Sequence, residues 1–141
     1  MKQPRVGILS LQGDFARHRA ALDVEVERNA YGRQIDSFTE DVDVSVIEGP
    51  MHGVFIRAPR IRSVGAGVEV IARRRVPAGA PKGTLGEPIG VRRGATVGIC
   101  FHPELTTDLR FHRWFLTEAA GLSLPGAPEQ AMAHASGGAS A

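Results

Sequence analysis

Val6-Gly7-Ile8-Leu9-Ser10-Leu11-Gln12-Gly13 is a short apolar run closed by a glycine. The pattern predicts a buried strand over Val6 to Leu11, with Gly13 as the turn out of it. Directly after it, Phe15, His18, Ala21 and Leu22 fall along one face of a helix over Phe15 to Leu22, and Asp14 stands where a cap is needed. A strand that turns into a helix is a unit of α/β construction, although this helix is short for one that must cover a parallel sheet.

Working outward, Val24 to Arg28 alternates in strand fashion, with Val24, Val26 and Arg28 on one face. Asn29-Ala30-Tyr31-Gly32-Arg33-Gln34 reads as a polar loop. Asp41 to Ile47 alternates again, and Gly53 to Ile56 is a compact apolar strand stopped by Ala58-Pro59. Val68 to Ala72 and Ile89 to Arg92 read as strands joined by a long loop, Arg73 to Pro88. Arg93-Gly94 is a tight turn into a last strand, Thr96 to Phe101. Leu109, His112, Phe115, Leu116 and Ala119 share one face of a final helix ended by Gly121. Residues 1–121 thus read as one domain. Residues 122–141 read as a disordered tail, because Ser123 to Ala141 is small, polar or glycine-rich without apolar period. Strands in the middle and helices near both ends predict an α/β or α+β domain, and composition does not separate the two.

A chain of 141 residues, 43% hydrophobic, suits one globular domain with a modest core. A formal net charge of +2 is too small to call for a nucleic-acid or membrane partner. The triplet Arg73-Arg74-Arg75 has no interleaved aromatics, so it reads as a solvated hairpin loop rather than an RNA site. No apolar run is long enough to span a bilayer, and Met1 to Arg5 leads straight into a strand without the pattern of a signal peptide. Cys100 is the only cysteine, which excludes an internal disulfide and fits a reducing cytoplasm. The five histidines have no ligand-like spacing with one another or with Cys100, so no metal is expected.

Four segments, in order, resemble the glutaminase subunit of pyridoxal 5'-phosphate synthase, a class I-type glutamine amidotransferase family. They are Gly7 to Gly13; Glu27-Arg28-Asn29-Ala30-Tyr31-Gly32-Arg33-Gln34-Ile35-Asp36-Ser37-Phe38, the most specific; Gly53 to Pro59; and Phe101-His102-Pro103-Glu104-Leu105-Thr106 with the Arg110-containing helix that follows. The resemblance implies a flavodoxin-like three-layer α/β fold without metal or organic cofactor. It implies hydrolysis of L-glutamine to glutamate and ammonia through a cysteine thioester. The ammonia would pass to a partner, the lyase subunit of the synthase. The resemblance also exposes a gap. Between the first helix and the Arg28 segment the family carries further strands, a glycine-rich loop and a Gly-x-Cys-x-Gly nucleophile elbow, whereas here Leu22-Asp23-Val24 runs directly across. An elbow of that kind presents a thiolate beside backbone N–H groups that can hold an oxyanion. The expected fold is therefore a remnant of the three-layer architecture with central strands missing.

Site residues follow from the same resemblance. His102 and Glu104 match the family's base and its orienting acid, and residues two apart on an extended segment can face the same side. A surface His-Pro-Glu turn is the plainer reading of the same letters. Arg28, and Ile56 with Arg57, match positions that contact glutamine, where a guanidinium fork can hold an α-carboxylate. Arg28 could equally make a structural ion pair with Glu25, Glu27 or Asp36. Gln12-Gly13 stands at the end of the first strand, where α/β sheets bind ligands, and is equally readable as an ordinary turn. The family's glutamate ahead of the helix histidine is Arg17 here, which weakens the expectation of partner contacts there. Gly98-Ile99-Cys100 superficially imitates the elbow, but Cys100 lies in a strand and is followed by Phe101 and His102. It is expected to be a buried structural cysteine.

Overall fold

A computed structural model describes residues 21–27 and 37–124. The expected strand Val6 to Leu11, Gln12-Gly13, Arg17, Arg28 and the polar loop after it lie outside the described residues, as does most of the Phe15 to Leu22 helix. Residues 21 and 22 are helical, and Asp23 then turns the chain with a left-handed backbone, φ 53°. Aspartate is among the few residues that visit this region readily.

Among the described residues seven strands follow. They are β1 Val24–Glu27, β2 Ser37–Val44, β3 Pro50–Ile56, β4 Arg60–Val64, β5 Glu69–Arg74, β6 Pro88–Arg93 and β7 Thr96–Ile99. β1 and β4 form an antiparallel pair, and the others form a five-stranded sheet in the order β3-β2-β5-β6-β7. Every pairing between described strands is antiparallel. One turn of 3-10 helix, Pro103–Leu105, leads to α1, Arg110–Trp114, which widens into a π-helical turn, Phe115–Ala119. Gly121, with φ 68°, ends it as expected, and the Leu122 N–H donates back to the Leu116 carbonyl at 2.8 Å. A left-handed residue is the usual way to close a helix, and glycine takes it without a Cβ clash.

Several boundaries differ from the sequence reading: β3 starts at Pro50 instead of Gly53, and β7 ends at Ile99, so that Cys100 and Phe101 lie just past the strand instead of in it. β2 begins at Ser37 rather than Asp41 because Glu40 occupies a position on the strand's inward-facing row, which breaks the apolar period. Arg74 of β5 neutralises it through paired bonds of 2.5 and 2.9 Å. Beyond Val44 the chain turns instead of extending to Ile47, whose N–H donates to the Val44 carbonyl. β4 was not anticipated. Its only buried apolar residue is Ile61, and its outward residues are held by Glu27 to Arg62 and Glu25 to Ser63.

The core is built on the large sheet. Val42, Met51, Phe55, Ile71, Ile89 and Val91 are fully buried, with Leu22, Val24, Ile61, Phe101 and Phe111 in the same cluster. Leu22 presses on β7 so closely that a Cβ on Gly98 would lie 2.5 Å from its Cδ1. A side chain there would have to push the end of Leu22 aside. A row of aromatic rings crosses from the sheet to α1. Phe38 stacks on Phe55 at 4.6 Å, Phe55 meets Phe101 at 6.2 Å, Phe101 meets Phe111 at 6.0 Å, and Phe111 meets Trp114 at 5.5 Å. Such offset and edge contacts add to the area they bury. Among the described residues no helix is long and apolar enough to cross a membrane.

Candidate active site

Phe101 fixes the segment from which the site is built. It is 3% exposed, wedged between Phe55 and Phe111, and its neighbours are tied to strands on either side. The Cys100 N–H donates to Ile89 of β6 and the His102 N–H to Val54 of β3, both at 2.8 Å. Pro103 then starts the 3-10 turn, with His102 at its N-cap. Proline suits a first helical position because its missing N–H would have no partner there.

This turn brings His102 and Glu104 together. Nδ1 of His102 lies 2.6 Å from Oε1 of Glu104. The contact is made through a 3-10 turn, not across an extended segment as the sequence spacing suggested. Partial burial opposes the charge on Glu104. The hydrogen bond with His102, the residue's own N–H and the nearby imidazoles of His102 and His112 outweigh it, holding the carboxyl below the usual glutamate range. With Nδ1 engaged, Nε2 is the ring nitrogen left to take or give a proton. The contact thus joins an imidazole to a carboxylate.

Ile56 ends the strand that carries Val54 and Arg57 follows it directly, within about 10 Å of Val54 along the chain at ~3.3 Å per residue. Both are exposed, and Arg57 has a left-handed backbone, φ 43°. Non-glycine residues in that region cost on the order of 1 kcal/mol or more and gather at functional sites. Arg57 has no acidic partner among the described residues. The end of β3 therefore presents an exposed Ile56 and Arg57, two and three residues along the chain from the Val54 carbonyl that holds His102. Arg28, expected to join them, lies outside the described residues.

Cys100 is buried, and burial followed by the charge of Glu87 pushes its thiol up to about 12. A thiol so held is no thiolate near neutrality and no nucleophile. Among the described residues no group of three or more His, Cys, Asp or Glu side chains could hold a metal.

Residues 8–120 match the SNO glutamine amidotransferase family. The chain belongs to this family. It is 48% identical over 122 residues to pyridoxal 5'-phosphate synthase subunit PdxT of a Thermus thermophilus strain, covering 86% of this chain and 50% of that protein. To the subunit of the same name from Mycolicibacterium vanbaalenii it is 50% identical over 95 residues, covering 67% of this chain and 44% of that one. A crystal structure of a glutamine amidotransferase superposes with a TM-score of 0.59 at 51% identity, covering 72% of this chain and 48% of the other. The chain has the α/β fold of class I glutamine amidotransferases, and it spans about half the length of the relatives it matches.

Within this family frame the sequence reading missed the support beneath the histidine turn. Arg110 donates to both carboxylate oxygens of Asp108, at 2.7 to 3.1 Å, and also to the carbonyls of Glu48 and Pro50. The available signal was an aspartate two residues ahead of an arginine at the start of a helix, where a carboxylate caps the first N–H groups. The Arg110 N–H does donate to Asp108 Oδ1, at 3.1 Å.

Proposed function

We propose that the chain is a form of the glutaminase subunit of pyridoxal 5'-phosphate synthase that lacks the nucleophile-bearing segment and does not hydrolyse glutamine by itself. The carrying observation is a formed His102–Glu104 pair in a chain whose only cysteine, Cys100, is buried and protonated. In this reading His102 is the general base and acid and Glu104 fixes its ring. Ile56, Arg57 and Arg28 hold glutamine, and Gln12 stands by the oxyanion. The substrate class is L-glutamine, the products are glutamate and ammonia, and the partner is the synthase's lyase subunit. The domain spans residues 1–121 with 122–141 as its tail, and it works in the cytoplasm without metal or organic cofactor.

The chemistry explains the inactivity. An imidazole base accelerates attack only when a nucleophile lies within its reach, and a carboxamide needs a thiolate to form the thioester. The direct passage from Leu22 through Asp23 to Val24 leaves no room for a strand-to-helix elbow there. Ammonia release from glutamine, with and without the lyase subunit, should match a Cys100→Ala control. A rate above background that vanishes in Cys100→Ala overturns the proposal.

A second reading, a docking module for the lyase subunit, draws on the retained core around Phe55 and Phe101. Analytical ultracentrifugation of the chain mixed with that subunit tests it. A complex supports docking, and two independently sedimenting species remove it.

A further inference from the structure

A closed ring of hydrogen bonds runs from β3 through the start of α1 and back to β3. Arg110 holds β3's beginning, donating from Nη2 to the Pro50 carbonyl at 3.0 Å and from Nη1 to the Glu48 carbonyl. The same guanidinium grips Asp108, with Nε to Oδ1 at 3.0 Å and Nη2 to Oδ2 at 2.7 Å. The Asp108 N–H donates to Thr106 Oγ1 at 3.3 Å, and that hydroxyl donates to the Pro103 carbonyl at 3.0 Å. The Leu105 N–H closes the turn on the His102 carbonyl, and the His102 N–H returns to Val54 of β3. Two attachments to one strand thus bracket the turn that carries His102 and Glu104.

We propose that Arg110 is a positioning residue for the His102–Glu104 pair, acting through Asp108 and Thr106 to hold the turn against β3. The inference rests on reading that pair as base and orienting acid. A fork of fixed donors is what the ring requires, since its acceptors are the Pro50 carbonyl at the start of β3, the Glu48 carbonyl in the turn before it and both oxygens of one carboxylate. A lysine ammonium has the charge without the planar fork. The guanidinium lies at the surface, so its part is geometric reach rather than a buried charge. Freed from the clamp, the turn would keep its attachment at Val54 and lose the one at Pro50. Glu104 would then no longer be held at 2.6 Å from Nδ1.

The test reads the ring directly, in the full chain, by long-range proton–nitrogen correlation of its histidines under conditions where the His102 ring is neutral. A neutral ring held by a carboxylate at Nδ1 carries its proton there, so the native chain should show the Nδ1–H tautomer. Glu104→Gln supplies the reference for a ring without that carboxylate. Arg110→Lys and Arg110→Gln should each convert at least half of His102 toward the reference state while unfolding remains cooperative. If both variants fold and His102 keeps the native tautomer, Arg110 does not position the pair and the proposal fails. Asp108→Asn reads the same clamp from the carboxylate side and should behave like the arginine variants. Unfolding of all three would mean that the clamp holds the domain together rather than the pair, which overturns the proposal as well. Because ammonia is not the readout, this failure is distinct from failure of the glutaminase reading.

Discussion

Cys100 and His102 are two residues apart, yet their environments give them opposite prospects. The backbone on both sides of Phe101 is tied to neighbouring strands, which leaves the thiol inside and the imidazole at the edge. Desolvation penalises the thiolate, and Glu87 adds like-charge repulsion, so the thiol is raised from 9.0 to about 12. Two outcomes are expected. Iodoacetamide at mildly alkaline pH should modify the native chain only as fast as it unfolds, at least tenfold slower than the chain in urea. Stability should also fall as pH rises through the window between 9.0 and about 12, where the unfolded thiol ionises and the folded one does not. Within it the thiol can remove at most about 1.4 kcal/mol per pH unit. Comparing urea denaturation of the native chain and Cys100→Ala isolates it, and equal alkaline slopes would contradict the assigned burial. The sequence anticipated this buried cysteine, because a thiol followed by Phe101 instead of glycine does not make an elbow, although it placed Cys100 inside a strand that ends at Ile99. It did not reveal how His102 meets Glu104, since spacing alone does not distinguish an extended segment from a turn led by Pro103.

The aromatic row is the element that joins sheet, histidine turn and α1. Phe101 lies at its centre, in contact with Phe55 on one side and Phe111 on the other. Truncation to alanine removes both ring contacts and leaves a cavity that surrounding strands cannot close. Phe101→Ala should therefore cost about 3–5 kcal/mol, the usual range for a fully buried phenylalanine. Urea denaturation should show the midpoint fall with little change in slope. A loss below ~1 kcal/mol would mean that the row is not the joint it resembles. Most strands of this element were legible from alternation alone, as with β3 and β6, whose buried residues are apolar. β2 and β4 resisted for a common reason: ion pairs took over work that apolar residues do elsewhere. Glu40 is acceptable on the inner row only because Arg74 of β5 reaches it, and Arg74 also lies 5.3 Å from the Phe38 ring. Arg62 likewise meets Glu27 across the β1–β4 pair. Partnerships between residues more than thirty positions apart leave no trace in a local period. The Arg110 clamp, which reaches back to Glu48 and Pro50, escaped for the same reason.

At the scale of the whole molecule, the junction at Asp23 is where the proposed loss can be reversed. Leu22 is packed on Gly98 of β7, and Val24 is paired with Val64 of β4, so the chain is fixed on both sides of one residue. Asp23 itself is exposed, with its carbonyl accepting from Gly65 at 2.9 Å. An insertion at an exposed turn between two anchored residues disturbs little of the existing core. We therefore expect that grafting the intervening segment of the Thermus thermophilus relative between Leu22 and Val24 yields a glutaminase dependent on the lyase subunit. The graft would supply the thiolate, the oxyanion donors and further strands, to be served in the proposed reading by His102 and Glu104 on the turn tied to Val54 and by Ile56 and Arg57 after it. In the grafted protein His102→Asn should lower ammonia release by roughly 10²–10⁴-fold, the usual loss when a general base is removed. Glu104→Gln should have a smaller effect, because it disturbs the ring's orientation without removing the proton acceptor. Ammonia measured by a coupled assay decides the matter. A graft that folds and binds the lyase subunit yet releases no ammonia would show that the His102–Glu104 pair, though formed, no longer meets a nucleophile presented by the family's elbow.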